Sequence, residues 1–338
     1  MNTKTQRIEA FIALGKKVEE VLASEELALL AQQGKNFNGW FTEKHIRIAF
    51  EGVVALLEEN KLRQWAAQYT EPTQPKTVGV VMAGNIPMAG MHDMICVLVS
   101  GHQLMAKLSS QDPFLLKQVA HWLIKIEPSF KEAITLVERL KGMDAIIATG
   151  SDNTARYFEY YFRKYPHIIR KNRVSFAVLN GEETDAEIDA LADDIFLHYG
   201  LGCRNVSKLW LPKGFSPNKL LARWKEKIEE AKMHHKYMNN YEYNRSIYLI
   251  NSVPHLDGGG LMMKEDEQLV SPVSVLFYEY YSNLEKLKSK LDAISEKVQC
   301  IVAKKGVIEN SVTMGQAQFP LIDDYADRVD TMAFLSEI

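Results

Sequence analysis

The sequence lacks the features that mark several classes of protein. No apolar run approaches the roughly 20 residues that a membrane-spanning helix needs, and the N-terminal stretch MNTKTQRIEAFIALGKK mixes charge into its apolar positions, unlike a signal peptide. The formal net charge of −3 gives no overall attraction to nucleic acid or anionic lipid. We therefore expect a cytoplasmic protein without a membrane span and without a nucleic-acid partner.

Cysteine is also scarce. Three cysteines are too few and too scattered for a disulfide framework or a zinc site. Cys96 and Cys300 lie in apolar runs, where a thiol is usually a small buried hydrophobe. Cys203 lies instead among glycines in YGLGCRN, a setting that can expose the sulfur and favour its thiolate. His234 and His235 point to opposite faces if their segment is extended, and they lack a third ligand, so no metal site is predicted.

The hydrophobic pattern is typical of an α/β protein with two domains. A chain of 338 residues exceeds the size at which one hydrophobic core stops growing. The first ~70 residues have helical spacing, and alternating short apolar strands and helices follow, which predicts βαβ units and mostly parallel sheets. The strands are predicted over residues 77–82, 103–108, 144–149, 174–179, 206–211, 274–278 and 298–303. Residues 233–243 and 258–260 are predicted as loops.

Four strand-to-helix junctions carry groups that could bind a ligand. At the first, Asn85 follows an apolar strand and could donate a hydrogen bond to a ligand or an oxyanion, although a turn of Gly, Asn and Pro is the favoured interpretation. At the second, Lys107 ends a strand and Ser110 and Pro113 precede a helix. That arrangement fits a phosphate or ribose site as well as it fits a capped helix with a solvated lysine.

The third and fourth junctions lack the usual dinucleotide fingerprint, G-x-G-x-x-G. At the third, Thr149, Gly150 and Ser151 form a small turn that leaves backbone N–H groups for a pyrophosphate. At the fourth, two glycines before Cys203 let the backbone turn sharply and give a substrate close access, and N–H groups from a helix or turn would favour the thiolate. His198, five residues upstream, is not assigned as a base.

Taken in order, the four junctions resemble the aldehyde dehydrogenase superfamily. The order is Asn-x-Pro after a strand, Lys-x-x-x-x-x-Pro, Thr-Gly-Ser, and a Gly-x-Cys nucleophile before a strand. Five strings are similar to the acyl-CoA reductase branch, exemplified by the reductase subunit of the bacterial luminescence fatty-acid reductase. They are MAGNIPMAGMHDMICVLVSGH, IATGSDNTARYFEYYF, HIIRKNRVSFAVLNGEE, YGLGCRNVSKLWLP and GQAQFPLIDDYADRVDTMAFL. The resemblance covers the chain from about Trp40 onward.

The resemblance implies an aldehyde-dehydrogenase-like α/β fold, with two Rossmann-like parallel-sheet domains and an N-terminal helical cover. We expect residues 1–70 to pack on the cofactor domain, residues 71–180 to bind a nicotinamide cofactor, and residues 181–315 to carry the cysteine nucleophile. Residues 316–338 are expected to return to the cofactor domain or to an oligomer interface. A homo-oligomer is implied as well.

The resemblance also implies roles for individual residues. Cys203 becomes the catalytic nucleophile, and Asn85 becomes an oxyanion donor beside the Cys203 backbone N–H. The remaining residues would bind the cofactor: Lys107 its ribose, Thr149, Gly150 and Ser151 its phosphates, Pro87 in the same loop as Asn85, Ser110 at the adenosine ribose, and Glu267 or Gln268 at the nicotinamide ribose.

Departures from the superfamily pattern define the expected reaction. Hydrolytic aldehyde dehydrogenases carry a general-base glutamate where residues 168–172 hold no carboxylate, which favours acyl transfer to or from a thiol over attack by water. Gln268, with Glu267 beside it, replaces the usual ribose-binding glutamate. Ser110 stands where NAD-specific members carry a carboxylate, which favours NADPH with NADH as the alternative.

We therefore expect NAD(P)H-dependent reduction of a fatty acyl-CoA, or of an acyl-protein delivered by an acyl-transferring partner, through an S-acyl-cysteine. The alternatives are an NAD-dependent aldehyde dehydrogenase that forms acid, and a non-catalytic partner subunit of the same fold.

Overall fold

The computed structural model describes residues 3–338 apart from the side chain of Asp152, and it divides into two compact units. Unit 1 comprises the described residues up to Asn172 together with Pro320–Ile338, and unit 2 is Arg173–Phe319. Each unit contains its own sheet of mainly parallel strands. The predicted α/β class is confirmed, whereas the assignment of chain segments to cofactor binding and catalysis stays a prediction.

Unit 1 begins with four helices, which confirms the helical N-terminus. They are α1 (Lys4–Leu22), α2 (Glu26–Phe37), α3 (Glu43–Leu56) and α4 (Glu59–Ala67). Thr3 and Thr42 cap α1 and α3, because each side chain accepts a hydrogen bond from a backbone N–H in the first turn. Helices α3 and α4 are separate, because the Glu58 side chain caps a new helix at the N–H groups of residues 60 and 61.

The sheet of unit 1 is doubly wound. Its elements are β1 (Thr77–Val81), α5 (Met91–Ser100), β2 (Gln103–Lys107), α6 (Leu115–Ile126), α7 (Phe130–Ala133), β3 (Ile134–Leu136), β4 (Ala145–Thr149), α8 (Asp152–Phe162) and β5 (His167–Arg170). The strand order is β3-β2-β1-β4-β5, and all neighbours are parallel. The chain builds outward from β1 to β3 and then crosses to β4, so a topological switch point lies between β1 and β4.

The N-terminal helices and this sheet share one hydrophobic core. Phe11, Phe50 and Trp65 from the helices, Val80 from β1 and Leu335 near the C-terminus belong to a single buried cluster. Burying apolar surface stabilises by roughly 25 cal/mol per Å². The helical cover is therefore an integral part of unit 1.

Unit 2 carries a second sheet, after which the chain returns to unit 1. The elements of unit 2 are β6 (Val174–Val178), α9 (Asp185–Phe196), β7 (Val206–Pro212), α10 (Asn218–Arg223), α11 (Lys225–Lys232), α12 (His235–Ile250), β8 (Leu256–Asp257), β9 (Met262–Glu265), β10 (Val275–Tyr281), α13 (Leu284–Ala293) and β11 (Val298–Ala303). The strand order is β11-β6-β7-β10-β9-β8, with only the β8–β9 pair antiparallel. In unit 1, α14 (Thr331–Glu337) packs on α5.

Two expectations for unit 2 are wrong. Residues 233–243 are not a loop, because most of them belong to α12, whose buried positions Tyr237, Tyr241, Asn244 and Tyr248 recur at helical spacing. The helical period was not apparent in the sequence, because the buried positions are tyrosine and asparagine and not aliphatic residues. The rings of the residues at 234 and 235 consequently lie side by side, with centroids 5.3 Å apart. The junction at Cys203 is also reversed, since it leads from a helix into a strand.

Candidate active site

The three cysteines differ sharply in exposure. Only Cys203 is exposed, while Cys96 and Cys300 are buried. Burial raises the pKa of the Cys96 thiol well above its ordinary value and raises the pKa of the Cys300 thiol as well. A buried, protonated thiol is a poor nucleophile, because the thiolate is the reactive form. Cys203 is therefore the candidate nucleophile of this chain.

Cys203 lies in a turn between α9 and β7, which we call the Cys203 turn (residues 198–205). Its first three residues all have positive φ, at 51°, 55° and 78°, and only the third is a glycine. Left-handed backbone costs roughly 1–2 kcal/mol for a residue with a side chain, so neighbouring contacts must hold this conformation. A reverse turn follows, closed by a 3.0 Å hydrogen bond from Asn205 N–H to Gly202 O.

Strand β6 anchors the Cys203 turn to the sheet. Ser175 Oγ donates to the Cys203 carbonyl oxygen at 2.9 Å, and it accepts from Cys300 N–H at 3.2 Å. Ser175 is fully buried. The backbone of Cys203 is thus tied to the amino-terminal edge of the unit 2 sheet while its side chain remains exposed. The thiol therefore lies at the end of α9 and not at a helix N-terminus.

His198 lies at the start of the Cys203 turn and is buried. Burial lowers its pKa to about 4, so the imidazole is neutral at neutral pH. A neutral ring does not supply the positive charge that favours a thiolate. This agrees with leaving His198 without a catalytic assignment.

A buried carboxyl group on α9 holds a second segment beside the Cys203 turn. Asp194 accepts hydrogen bonds from Gly315 N–H at 2.6 Å and Ala317 N–H at 2.9 Å, and burial raises its pKa to about 7. Ala317 O in turn accepts from the guanidinium of Arg204, the residue after the nucleophile, at 3.5 Å. Sequence reasoning missed Asp194, because it is one of several acidic residues in an ordinary helix.

The loop that holds Glu267 and Gln268 is tied to the start of β7. Ser207 Oγ donates to Leu269 O at 2.9 Å, and the buried Lys208 ammonium donates to Glu267 O at 3.0 Å. Both predicted ribose-binding side chains are exposed. Because Ser207 lies four residues after Cys203, unit 2 brings the nucleophile and this loop to neighbouring positions along β7.

Unit 1 gathers the other predicted residues at one edge of its sheet. Val81, at the end of β1, is in register with Lys107 on β2 and with Ala148 on β4. The loops that follow these strands carry Asn85 and Pro87, Ser110, and Gly150 and Ser151, while Thr149 is the last residue of β4. The carboxyl ends of strands on both sides of a switch point are where open α/β sheets bind ligands.

The loops after β1 and β2 pack tightly against each other. A Cβ atom at Gly84 would lie 2.5 Å from Ser109 Cβ, so no other residue fits without a backbone shift. Asn85 is exposed at the tip of the first loop and Pro87 is buried beneath it. The glycine thus lets a loop bearing an amide lie directly beside the loop bearing Lys107 and Ser110.

A buried aspartate joins the same two loops. Asp112 accepts hydrogen bonds from Met88 N–H at 3.2 Å and from Leu115 N–H at 3.0 Å, and burial raises its pKa. Met88 has a positive φ of 61°. The Asp112 carboxylate therefore stabilises a left-handed residue in one loop and holds the first residue of α6 at the end of the other.

The turn after β4 leads into α8 and packs closely against the first turn of that helix. Ser151 caps the helix by accepting from Thr154 N–H at 3.3 Å. A Cβ at Gly150 would lie 2.9 Å from Thr154 Cγ2. The Gly150 N–H is already donated to Arg170 O at 3.2 Å, so the N–H groups that can reach an anion belong to the first turn of α8. The start of α8 thus lies at the same edge of the sheet as Lys107, with β1 between the two strands.

Arg170, in the stretch 168–172 that lacks a carboxylate, forms a buried ion pair. Its guanidinium donates to both oxygens of Asp93, at 2.8 and 2.7 Å, and to Thr331 Oγ1 at 2.9 Å. The pair joins β5, α5 and α14. The Asp93 carboxylate is thus paired with Arg170 and serves the packing of unit 1.

Two kinds of feature are absent from the described part of the chain. Among the side chains that the structure describes, which exclude that of Asp152, no group of three or more His, Cys, Asp or Glu is placed to hold a metal ion. Within residues 3–338, no helix is both long and apolar enough to cross a membrane.

Comparisons with known proteins agree with this geometry. A family model described as acyl-CoA reductase (LuxC) matches residues 33–216, more than half of the chain. No curated protein matches the chain by sequence.

Solved structures show the same fold. Aldehyde dehydrogenase 21 from Physcomitrella patens, in complex with the product succinate, aligns with a TM-score of 0.71 at 11% identity and covers 99% of this chain and 84% of its own. A putative aldehyde dehydrogenase from Burkholderia cenocepacia aligns with a TM-score of 0.67 at 15% identity, covering 90% and 75%. The P. syringae indole-3-acetaldehyde dehydrogenase, as a mutant with NAD⁺ and IAA, gives 0.66 at 12% identity, covering 94% and 75%. The predicted aldehyde-dehydrogenase-like fold is confirmed.

Proposed function

The chain belongs to the acyl-CoA reductase (LuxC) family, and we propose that it reduces a long-chain fatty acyl-CoA to the aldehyde with NAD(P)H. The family and the fold support an NAD(P)-dependent oxidoreductase that acts on aldehydes. The observation that carries the finer proposal is the exposed thiol of Cys203 on a turn anchored through its own backbone.

The proposed reaction has two stages on Cys203. Its thiolate attacks the thioester carbonyl, the bond from sulfur to the acyl carbon forms, and the bond to the CoA sulfur breaks to release CoA. When bound, NAD(P)H supplies a hydride. The S-acyl carbon accepts that hydride, and the resulting thiohemiacetal collapses to the aldehyde and returns the Cys203 thiolate. Asn85 keeps its proposed role as an oxyanion donor, the loss of which should lower kcat by ~10²–10³-fold.

Reduction is favoured over hydrolysis by the surroundings of residues 168–172. This stretch has no carboxylate, and the nearby Asp93 is neutralised by Arg170. A buried, neutralised carboxylate cannot activate water as a general base. The acyl-enzyme would therefore persist until hydride transfer.

Mass spectrometry of the chain after incubation with a panel of acyl-CoAs tests the intermediate directly. We expect acyl masses on the peptide that contains Cys203, with the preferred chain length given by the strongest signal. Cys203→Ala should abolish both the label and NAD(P)H consumption. Cys96→Ala, which alters a buried thiol of unit 1, is the control and should keep both. Wild-type turnover by Cys203→Ala would refute the mechanism.

The alternative activities give different results in simple assays. An aldehyde dehydrogenase that forms acid would oxidise aldehyde with NAD⁺ at full rate without CoA, whereas the proposed enzyme should need CoA for rapid reversal. A non-catalytic subunit would give no acyl label at Cys203 with any donor. Labelling by an acyl-protein but not by acyl-CoA would assign the donor to an acyl-transferring partner.

Cofactor preference can be tested at Ser110, which we propose lies against the adenosine ribose. Without a carboxylate at this exposed position, the 2′-phosphate of NADPH meets no negative charge. Ser110→Asp should raise the KM for NADPH and leave the KM for NADH nearly unchanged, because like charges repel. Lys107, Thr149 to Ser151, and Glu267 or Gln268 keep their proposed cofactor contacts. Oligomerisation and a cytoplasmic location stay predictions.

A further inference from the structure

Asn205 lies two residues after the nucleophile, and both the nitrogen and the oxygen of its side-chain amide make hydrogen bonds. The residue is only 3% exposed. Its Nδ2 donates to three backbone carbonyls at the end of α9, those of Asp194 at 3.2 Å, Ile195 at 3.4 Å and Leu197 at 2.7 Å. Its Oδ1 accepts from Gly202 N–H at 2.8 Å.

These four bonds explain how the Cys203 turn is held. The last carbonyls of a helix have no intrahelical partner, and the chain after α9 enters three residues of left-handed backbone that intrinsic preference opposes. Only an amide offers two N–H donors and an acceptor oxygen in one plane. Asn205 thus ties the end of the helix to the residue that precedes the nucleophile.

The nucleophile is therefore fixed from both sides. The Asn205 backbone N–H donates to Gly202 O, in the peptide before Cys203, at 3.0 Å, and the Asn205 side chain holds the Gly202 N–H one peptide earlier. Ser175 Oγ donates to Cys203 O, in the peptide after the nucleophile, at 2.9 Å. With both flanking peptides restrained, the Cα–Cβ bond of Cys203 has one direction. A misplacement of about 1 Å can lower the rate of an oriented reaction by roughly 10²-fold.

We propose that Asn205 is a positioning residue for Cys203: it fixes the backbone of the Cys203 turn so that the thiolate meets an acyl carbon in the reactive direction. This inference rests on the proposed function insofar as the acyl donor is a thioester. Asn205 itself touches neither substrate nor cofactor in this role.

Acyl transfer from p-nitrophenyl acetate isolates the positioning effect, because it needs neither CoA nor cofactor. The Cys203 thiolate attacks the ester carbonyl, the S–acetyl bond forms, and p-nitrophenolate leaves and is measured as a burst. In Asn205→Ala we expect the burst rate constant and the kcat for acyl-CoA reduction to fall on the order of 10²-fold. The KM for acyl-CoA and the dissociation constant of NADPH should change less than about threefold. A displaced nucleophile lowers kcat and leaves substrate binding intact, whereas a damaged binding site would raise KM.

Two further variants separate positioning from general damage to unit 2. Asn244→Ala removes another buried amide, which donates to Val273 O at 3.0 Å, and it should keep the wild-type burst rate. Asn205→Asp keeps the oxygen for Gly202 N–H but turns a second oxygen toward the three carbonyls. Its burst rate relative to wild type should rise as the pH falls, because a protonated carboxyl can again donate to Leu197 O. This variant also serves if Asn205→Ala does not fold.

The outcomes distinguish this inference from the proposed function. If wild type does not reduce acyl-CoA but the burst falls in Asn205→Ala, the positioning role holds and the proposed function fails. If wild type reduces acyl-CoA and the folded Asn205 variants match its burst rate and kcat at every pH, the positioning role is overturned. An equal loss in Asn244→Ala would overturn it too.

Discussion

The buried ion pair of Arg170 and Asp93 allows a test of how much one polar contact contributes to the stability of unit 1. Arg170→Met removes the guanidinium and keeps a side chain of similar length. The variant loses two hydrogen bonds to Asp93 and one to Thr331, at 2.7–2.9 Å, and leaves the Asp93 carboxylate only 9% exposed beside an apolar group. Removing one partner of a buried pair costs ~3–5 kcal/mol, because the other charge stays desolvated.

The matched control is Arg63→Met, in the same unit. Arg63 also makes short contacts to carboxylates, 2.6 Å to Glu9 and 2.9 Å to Glu59, but its side chain is 37% exposed. Exposed pairs of that kind contribute little to stability, since water and salt screen them. The same substitution should therefore give clearly different losses at the two arginines.

The double variant Asp93→Leu with Arg170→Met separates charge from packing. Replacing both partners of a buried pair by apolar groups is often neutral or stabilising, so the double variant should recover most of what Arg170→Met loses. Asp93→Leu alone should be destabilising, because it strands the guanidinium.

Hydrogen exchange measured by mass spectrometry reports the local stability of unit 1 separately from that of unit 2. The informative peptides come from α5, β5 and α14, the elements that Asp93, Arg170 and Thr331 connect. Faster exchange of all three in Arg170→Met, with unit 2 peptides unchanged, is expected. The reasoning is refuted if Arg170→Met destabilises these peptides no more than Arg63→Met does.

Three further predictions concern single groups. Asp194 has a pKa raised from 3.8 to about 7, so the folded state binds the extra proton and stability falls as the pH rises from about 4 to 7, by at most ~4 kcal/mol. The stability difference between Asp194→Asn and wild type, measured by urea unfolding across that range, should change with pH, and a constant difference would contradict the prediction. Gly150→Ala places a Cβ 2.9 Å from Thr154 Cγ2; it should weaken NADPH binding in a fluorescence titration while the p-nitrophenyl acetate burst at Cys203 stays at the wild-type rate. Gly84→Ala should destabilise unit 1 in thermal unfolding by ~1–3 kcal/mol through overpacking against Ser109, and Ser109→Gly added to it should restore part of that loss; no restoration would mean that the clash is with the backbone of residue 112.

Much of the fold could be predicted from local pattern. The strand predicted over residues 298–303 has the same bounds in the structure, because a short apolar run bounded by polar residues marks a buried element through local sequence alone. The helix α12 was missed for the opposite reason, since its buried face consists of tyrosine and asparagine. Their polar atoms weaken the apolar period even though their bodies are buried.

The candidate site, like the fold, could be predicted from the sequence only in part. The order of Asn85, Lys107, Thr149 to Ser151, and Cys203 along the chain is a property of the sequence, and so is the contrast between one cysteine among glycines and two in apolar runs. That contrast already predicted which thiol would be exposed. The roles proposed for the other site residues stay predictions.

Only the tertiary structure decided what holds these groups in place. Asp93, Arg170 and Thr331 meet from three distant segments, and Ser175 reaches the Cys203 carbonyl from a neighbouring strand. Even the contacts of Asn205, which lie within its own turn, are visible only in the tertiary structure, since its spacing from the end of α9 has no periodic signature. Local preference is set by a few neighbouring residues, whereas a buried donor or charge is satisfied by whichever segment the fold brings within hydrogen-bonding distance.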